Sequence, residues 1–249
     1  MNAGEKTAIA EFLNLAAGYV KDGYKREIEN YSFNDDPQEP EQTSLPLAYI
    51  TEESEEDETG EDSLNTIAAD ISACAACGLS ATRTFVVPGE GAERPLVMVI
   101  GEGPGAEEDK TGRPFVGKAG QLLDKMLASI GLSRDENCFI ANMVKCRPPG
   151  NRDPAYEEIT ACGQFLKRQI SLLRPRFILC AGRVAAQSLL KTGTGINALR
   201  GDFLELQLGE TAIPVLCTYH PSAILRNESL KRPAWEDLKL LKSRVEERD

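Results

Sequence analysis

Leu96-Val-Met-Val-Ile100 runs directly into Gly101-Glu-Gly-Pro-Gly-Ala-Glu-Glu-Asp-Lys-Thr-Gly-Arg-Pro-Phe-Val-Gly-Lys-Ala-Gly120. A short, continuous apolar run reads as a buried strand. The stretch that follows holds six glycines and two prolines, so its backbone turns tightly and comes close to something. Carboxylates and one aromatic ring, Phe115, stand among those glycines. At the end of a parallel strand, such a mixture makes the floor of a pocket.

Working outward, apolar runs at 138–144, 177–181 and 213–218 read as further strands. Helical patterns cover 63–74, 118–130, 154–173, 183–191 and 234–247. Strands alternating with helices predict an α/β fold with three α/β/α layers and a central, mostly parallel four-stranded sheet. The loops after 100, 144 and 218 then share the carboxyl edge of that sheet, where such folds bind ligands. This globular domain spans 63–249. Ahead of it, Ile9, Phe12, Leu13, Ala16, Tyr19 and Val20 predict an amphipathic helix within an N-terminal region, 1–27. Residues 28–62, with the acidic run Glu52-Glu-Ser-Glu-Glu-Asp-Glu58, have too little apolar surface to offset ordering and are expected to be a disordered linker.

The net charge of −11 argues against nucleic acid until it is mapped. Residues 1–70 hold 4 Lys/Arg against 18 Asp/Glu, and the remainder holds 24 against 21. The globular part is therefore mildly basic, and Lys145, Arg147 and Arg152 form a local patch suited to phosphates. No apolar run is long enough to span a membrane. The N-terminus lacks a basic segment followed by an apolar one, and seven cysteines show no small-scaffold pattern. These features lead us to expect a cytoplasmic, reduced protein with no membrane association.

Four cysteines stand apart from the strands. Cys74 and Cys77 form C-x2-C, and Cys146 and Cys162 lie far downstream. Four thiolates can hold zinc or an iron–sulfur cluster, but this spacing is not that of a zinc ribbon. Spacing alone leaves both metal binding and packed helical cysteines open. Cys138, Cys180 and Cys217 fall inside strands and read as small buried hydrophobes. The only histidine, His220, follows the last strand at the rim of the expected pocket. Asn142 and Asn151 offer amides of the kind that read a base edge, although ordinary turn chemistry also accounts for Asn151. A rival reading takes Gly101-x-Gly103-x-x-Ala106 as a dinucleotide fingerprint. Against it, Pro104 lacks an amide, Glu107-Glu-Asp109 would repel a pyrophosphate, and no acidic residue ends a second strand about 20 residues on.

Gly101–Asp109, Gly112–Gly120, Asn142-Met-Val-Lys-Cys-Arg-Pro-Pro-Gly-Asn-Arg152, the four cysteines and His220-Pro-Ser-Ala-Ile-Leu-Arg226 together resemble the family 4 uracil-DNA glycosylases. That family is the iron–sulfur branch of its superfamily, and the resemblance covers residues 70–245. It implies a structural [4Fe-4S] cluster on Cys74, Cys77, Cys146 and Cys162. It also implies uracil-containing DNA as substrate and hydrolysis to an abasic site without strand cleavage. Phe115 would stack on the flipped base, Asn142 would bond its Watson–Crick edge and Glu108 would crowd out a thymine methyl. The backbone at Gly103 would approach base and sugar, where other branches carry an aspartate. His220 would donate to a carbonyl oxygen of the departing base. Glu102 or Asn151 would position the water, and the sequence leaves that choice open. Ser222 would meet a DNA phosphate, and Ile224, Leu225 and Arg226 would form a wedge. The expected molecule is a monomer, with an unidentified protein partner for its N-terminal helix. Two alternatives are a non-catalytic DNA-binding or polymerase-associated module that keeps the fold, and a nucleotide-dependent oxidoreductase. An excision assay separates the first from the enzyme.

Overall fold

The computed structural model describes residues 62–209 and 211–247. The expected N-terminal helix within 1–27 and the linker over 28–62 lie outside them, apart from Asp62. Four parallel strands form the centre of the sheet: β2 (Val97–Gly101), β3 (Cys138–Asn142), β4 (Phe177–Ala181) and β6 (Thr211–Thr218). Every residue of β2, β3 and β4 is buried, which is why they read as continuous apolar runs.

Two antiparallel edge strands correct the expected count from four to six. β1 (Glu90–Gly91) pairs with β3, and β5 (Phe203–Leu208) pairs with β6, giving the order β1-β3-β2-β4-β6-β5. β1 is two residues long and carries no period. In β5, Leu204, Leu206 and Leu208 alternate with Glu205 and Gln207, the half-exposed pattern of an edge strand rather than an apolar run.

Alternate side chains along each central strand enter two cores. Met98 and Ile100 pack towards α1 (Leu64–Ala73), α4 (Tyr156–Leu173), α5 (Arg183–Leu190) and α6 (Ile196–Leu199). Val97 and Val99 pack towards α3 (Lys118–Ala128), α7 (Pro221–Arg226) and α8 (Lys231–Glu246). This is the expected three-layer arrangement. The short α2 (Ala106–Thr111) follows β2. Cys138, Cys180 and Cys217 are fully buried in their strands.

The register positions the site. Gly101 pairs with Asn142, Ile100 with Cys180, and Ala181 with Thr218. The carboxyl ends of all four parallel strands therefore form one edge, and the loops leaving them meet there.

Candidate active site

A cleft of about 520 Å³ opens at that edge, a size typical of small-ligand sites. Glu102, Gly103, Glu108, Phe115, Asn142, Asn151, Arg152, His220, Ser222 and Arg226 all line it. Sequence reasoning missed Asp153, Arg183 and Tyr219, which also line it. Arg183 follows Gly182 at the end of β4, so the fourth strand-end loop was the signal that could have found it.

Three parts of the floor explain one another. Gly101 has room only for hydrogen: a Cβ there would lie 2.4 Å from Asn142 Oδ1 and 2.6 Å from the Phe115 ring. Asn142 is 1% exposed, and its Oδ1 is a buried acceptor with no hydrogen-bond partner among the described residues. Such an orphan costs about 1–3 kcal/mol, so it is expected where a ligand supplies the donor. Phe115 holds the left-handed backbone conformation (φ 52°), which costs a non-glycine residue about 1–3 kcal/mol.

The surroundings impose that conformation. Arg134 donates to the Pro114 and Phe115 carbonyls at 3.0 and 2.9 Å, and is itself anchored by Glu90 and Asp124. Glu108 accepts from Val116 and Gly117 N–H, both at 2.9 Å, and from Gly105 N–H at 3.1 Å. Its carboxylate thus ties the Gly101–Gly105 loop to the Phe115 loop. It also occupies an amide that a dinucleotide phosphate would need, which weighs against the fingerprint reading.

His220 caps α7. Its Nδ1 accepts from Ser222 N–H at 3.2 Å and lies 2.8 Å from Ser222 Oγ. A backbone N–H can only donate, so Nδ1 is unprotonated and the neutral ring carries its proton on Nε2. Burial, helped by the charge of Arg226, pushes the His220 pKa down to about 4, so the ring is neutral at pH 7. Its centroid lies 5.6 Å from that of Phe115. Ser222 orients this ring, and Arg226 donates to its hydroxyl at 3.3 Å.

Glu102 lies in the cleft with its pKa pushed up to about 7 by burial and by Asp153, against opposing pulls from Arg183 and Arg226. Asn151 accepts from Arg147 Nε at 2.8 Å, which occupies its amide oxygen. Arg152 forms a two-pronged ion pair with Glu158 at 2.8 and 2.6 Å.

Two expectations fail. Ile224 is 2% exposed and packed among core side chains, so it is no wedge, whereas Leu225 beside it is 48% exposed. Lys145, read as part of a phosphate patch, is 0% exposed because its ammonium is turned inwards onto two carbonyl oxygens.

Residues 88–239 match the family described as the uracil DNA glycosylase superfamily. A type-4 uracil-DNA glycosylase of Archaeoglobus fulgidus is 43% identical over 72% of this chain and 91% of its own length. Its counterpart in Sulfurisphaera tokodaii is 45% identical over 73% and 84%, and that of Thermotoga maritima 43% over 74% and 96%. This chain belongs to the type-4 branch of the uracil-DNA glycosylase superfamily.

In this member of the branch, Cys74, Cys77, Cys146 and Cys162 line one small cavity between the end of α1 and the side of α4. Three of the sulfurs accept hydrogen bonds: Cys146 from Arg83 Nη1 at 3.2 Å, Cys162 from Lys145 N–H at 3.3 Å and Cys74 from Ala76 N–H at 3.5 Å. Burial pushes the Cys162 thiol up to about 11 and raises that of Cys146. Among the described residues, no three His, Cys, Asp or Glu side chains converge as the ligands of a single ion would. No described helix is long and apolar enough to cross a membrane.

Proposed function

We infer that this chain excises uracil from DNA, hydrolysing the bond between uracil N1 and deoxyribose C1′ and leaving an abasic site. The observation that carries this reading is the buried, partnerless acceptor of Asn142 facing a cleft that also holds Phe115 and His220. Uracil N3–H is the donor that this acceptor lacks; cytosine presents an acceptor there and would leave the amide oxygen unpaired. The target base must leave the duplex to reach the cleft, at a cost of a few kcal/mol. Phe115 stacks on the flipped ring. Glu108 shapes the loop wall at C5, and Gly103 leaves the sugar room.

As the N1–C1′ bond breaks, the electron pair leaves with uracil and negative charge grows on its O2. His220 Nε2–H donates to that oxygen. A donor aimed at developing charge contributes about 3 kcal/mol, and the capped, neutral ring needs no protonation to provide it. Glu102 is the better water-positioning group, since its carboxylate has no hydrogen-bond partner within the described residues and Asn151 has already committed its oxygen to Arg147. Water oxygen bonds to C1′, and Glu102 takes the proton. Among the described residues no lysine lines the cleft, so a Schiff base with the sugar is not expected and the strand stays intact. Arg183 and Arg226 at the rim meet phosphates, and exposed Leu225 fills the gap left by the flipped nucleotide.

The four-cysteine cavity supplies the four thiols that a [4Fe-4S] cluster takes as ligands. When bound, the cluster would act as a covalent staple between the 74–77 segment and α4. The N–H groups of Arg83, Lys145 and Ala76 favour thiolates there.

The test is uracil release from a labelled oligonucleotide, followed by alkali. Wild type should yield alkali-labile sites, and His220→Ala should lower the single-turnover rate about 10²–10³-fold with the fold intact. Absence of uracil release by the iron-loaded wild type would sink the reading.

A further inference from the structure

Lys145 is among the largest fully buried side chains of the described residues, and it stands between the two sites. Its Nζ donates to the Asn142 carbonyl at 2.9 Å and to Gln169 Oε1 at 2.8 Å. Gln169 is braced in turn, donating to the Pro88 carbonyl at 2.8 Å. The backbone of Lys145 is held on both sides: its N–H reaches Cys162 Sγ at 3.3 Å and its carbonyl accepts from Val87 N–H at 2.8 Å. The ammonium therefore closes the turn that follows β3, with Asn142 at one end and Cys146 directly after the other.

That turn also carries the loop across the cleft. Met143 N–H bonds the Gly101 carbonyl at 2.9 Å, and Val144 N–H bonds that of Glu102 at 3.2 Å. Shifting the turn would move Asn142 and Glu102 together. Neither partner of Nζ is a carboxylate, and a buried ammonium without a countercharge is costly.

We propose that Lys145 is a positioning residue that couples the four-cysteine site to the base-reading amide. It fixes the Asn142 carbonyl through Nζ, while its backbone N–H reaches Cys162 Sγ and the turn it closes leads directly into Cys146. The proposal rests on reading the cleft as the uracil site and the cysteines as cluster ligands.

A double-mutant cycle on the full chain tests it, using Lys145→Met, Asn142→Ala and the pair. Lys145→Met should lower the single-turnover excision rate roughly 10- to 100-fold, the scale on which ångström-level misplacement acts. In the Asn142→Ala background the same substitution should cost much less, because the amide it positions is gone and only the shift of Glu102 remains. A purely structural defect would give multiplying losses in the pair. Independently of activity, iron loss to a chelator, followed by absorbance near 400 nm, should be several-fold faster in Lys145→Met. Gln169→Leu, which removes one Nζ partner and keeps the charge, should show a smaller rate loss with the same non-additivity. It serves if Lys145→Met does not fold. A wild-type rate in Lys145→Met, or multiplying losses throughout the cycle, overturns the proposal. No uracil release by wild type overturns the functional reading instead, and the iron-loss comparison still reports on Lys145.

Discussion

At the residue scale, the site holds groups that cost stability, and this makes its chemistry testable. Asn142 Oδ1 is buried without a partner. Asn142→Ala removes that orphan, so thermal melting should show a midpoint equal to or above wild type, while uracil excision falls about 10²-fold or more. Equal losses of both would mean that the amide is structural. Glu102 gives a pH signature. Its folded pKa of about 7 lies above the ordinary 4.5, through burial and Asp153 and despite Arg183 and Arg226. A base must be deprotonated, so the rate should climb with pH through about 7 and then level off, and Glu102→Gln should abolish the climb. The linkage has the opposite sense. The folded state holds the extra proton between 4.5 and 7, so the stability this group contributes is full below 4.5 and lost as pH rises through 7. Glu102→Gln should therefore melt higher than wild type at pH 8 and no higher at pH 4. About 1 kcal/mol, after allowance for solvent screening, corresponds to some 2–4 °C in a domain of this size. His220, held near 4, remains neutral and adds no acid limb above that pH.

At the element scale, the strand ends and the loops between them do the positioning. Gly120, in the first turn of α3, sits against the Phe115 carbonyl, where a Cβ would come within 1.8 Å of the oxygen. Gly120→Ala must push the loop or the helix aside. It should cost about 1–3 kcal/mol in denaturant unfolding and weaken excision, because it dislodges the stacking ring. Near-wild-type values in both assays would show that the loop yields freely. The same contrast explains what was legible in the sequence. Gly101, Asn142 and His220 were readable because each ends or follows a short continuous apolar run, a pattern that survives translation into a buried parallel strand. β1 and β5 were not read, one being too short to have a period and the other alternating at the sheet edge. Ile224 and Leu225 are adjacent in a six-residue helix, too short for a pattern to say which one faces the core. Lys145 looked like surface charge because nothing local in a sequence announces that an ammonium will turn inwards. Arg134, which secures the strained Phe115, lies 19 residues away along the chain and joins it only through tertiary structure.

At the scale of the whole molecule, charge is segregated along the chain. Residues 1–61 carry 4 Lys/Arg and 16 Asp/Glu; removing them leaves 24 against 23. The described residues of the cleft and of both cores, and the stretch 88–239 that matches the family, lie downstream of 61. A chain lacking 1–61 should therefore retain excision. It should also bind DNA more tightly at low salt, because a strongly acidic segment repels phosphates or competes with them for the rim arginines. The two chains should differ about 3- to 10-fold near 50 mM salt and converge as the Debye length shrinks below about 8 Å. Fluorescence anisotropy on a labelled uracil-containing oligonucleotide, titrated across salt concentrations with His220→Ala to suppress turnover, reads this directly. A salt-independent gain would point to steric blocking rather than charge. Loss of excision would make the segment integral to the domain.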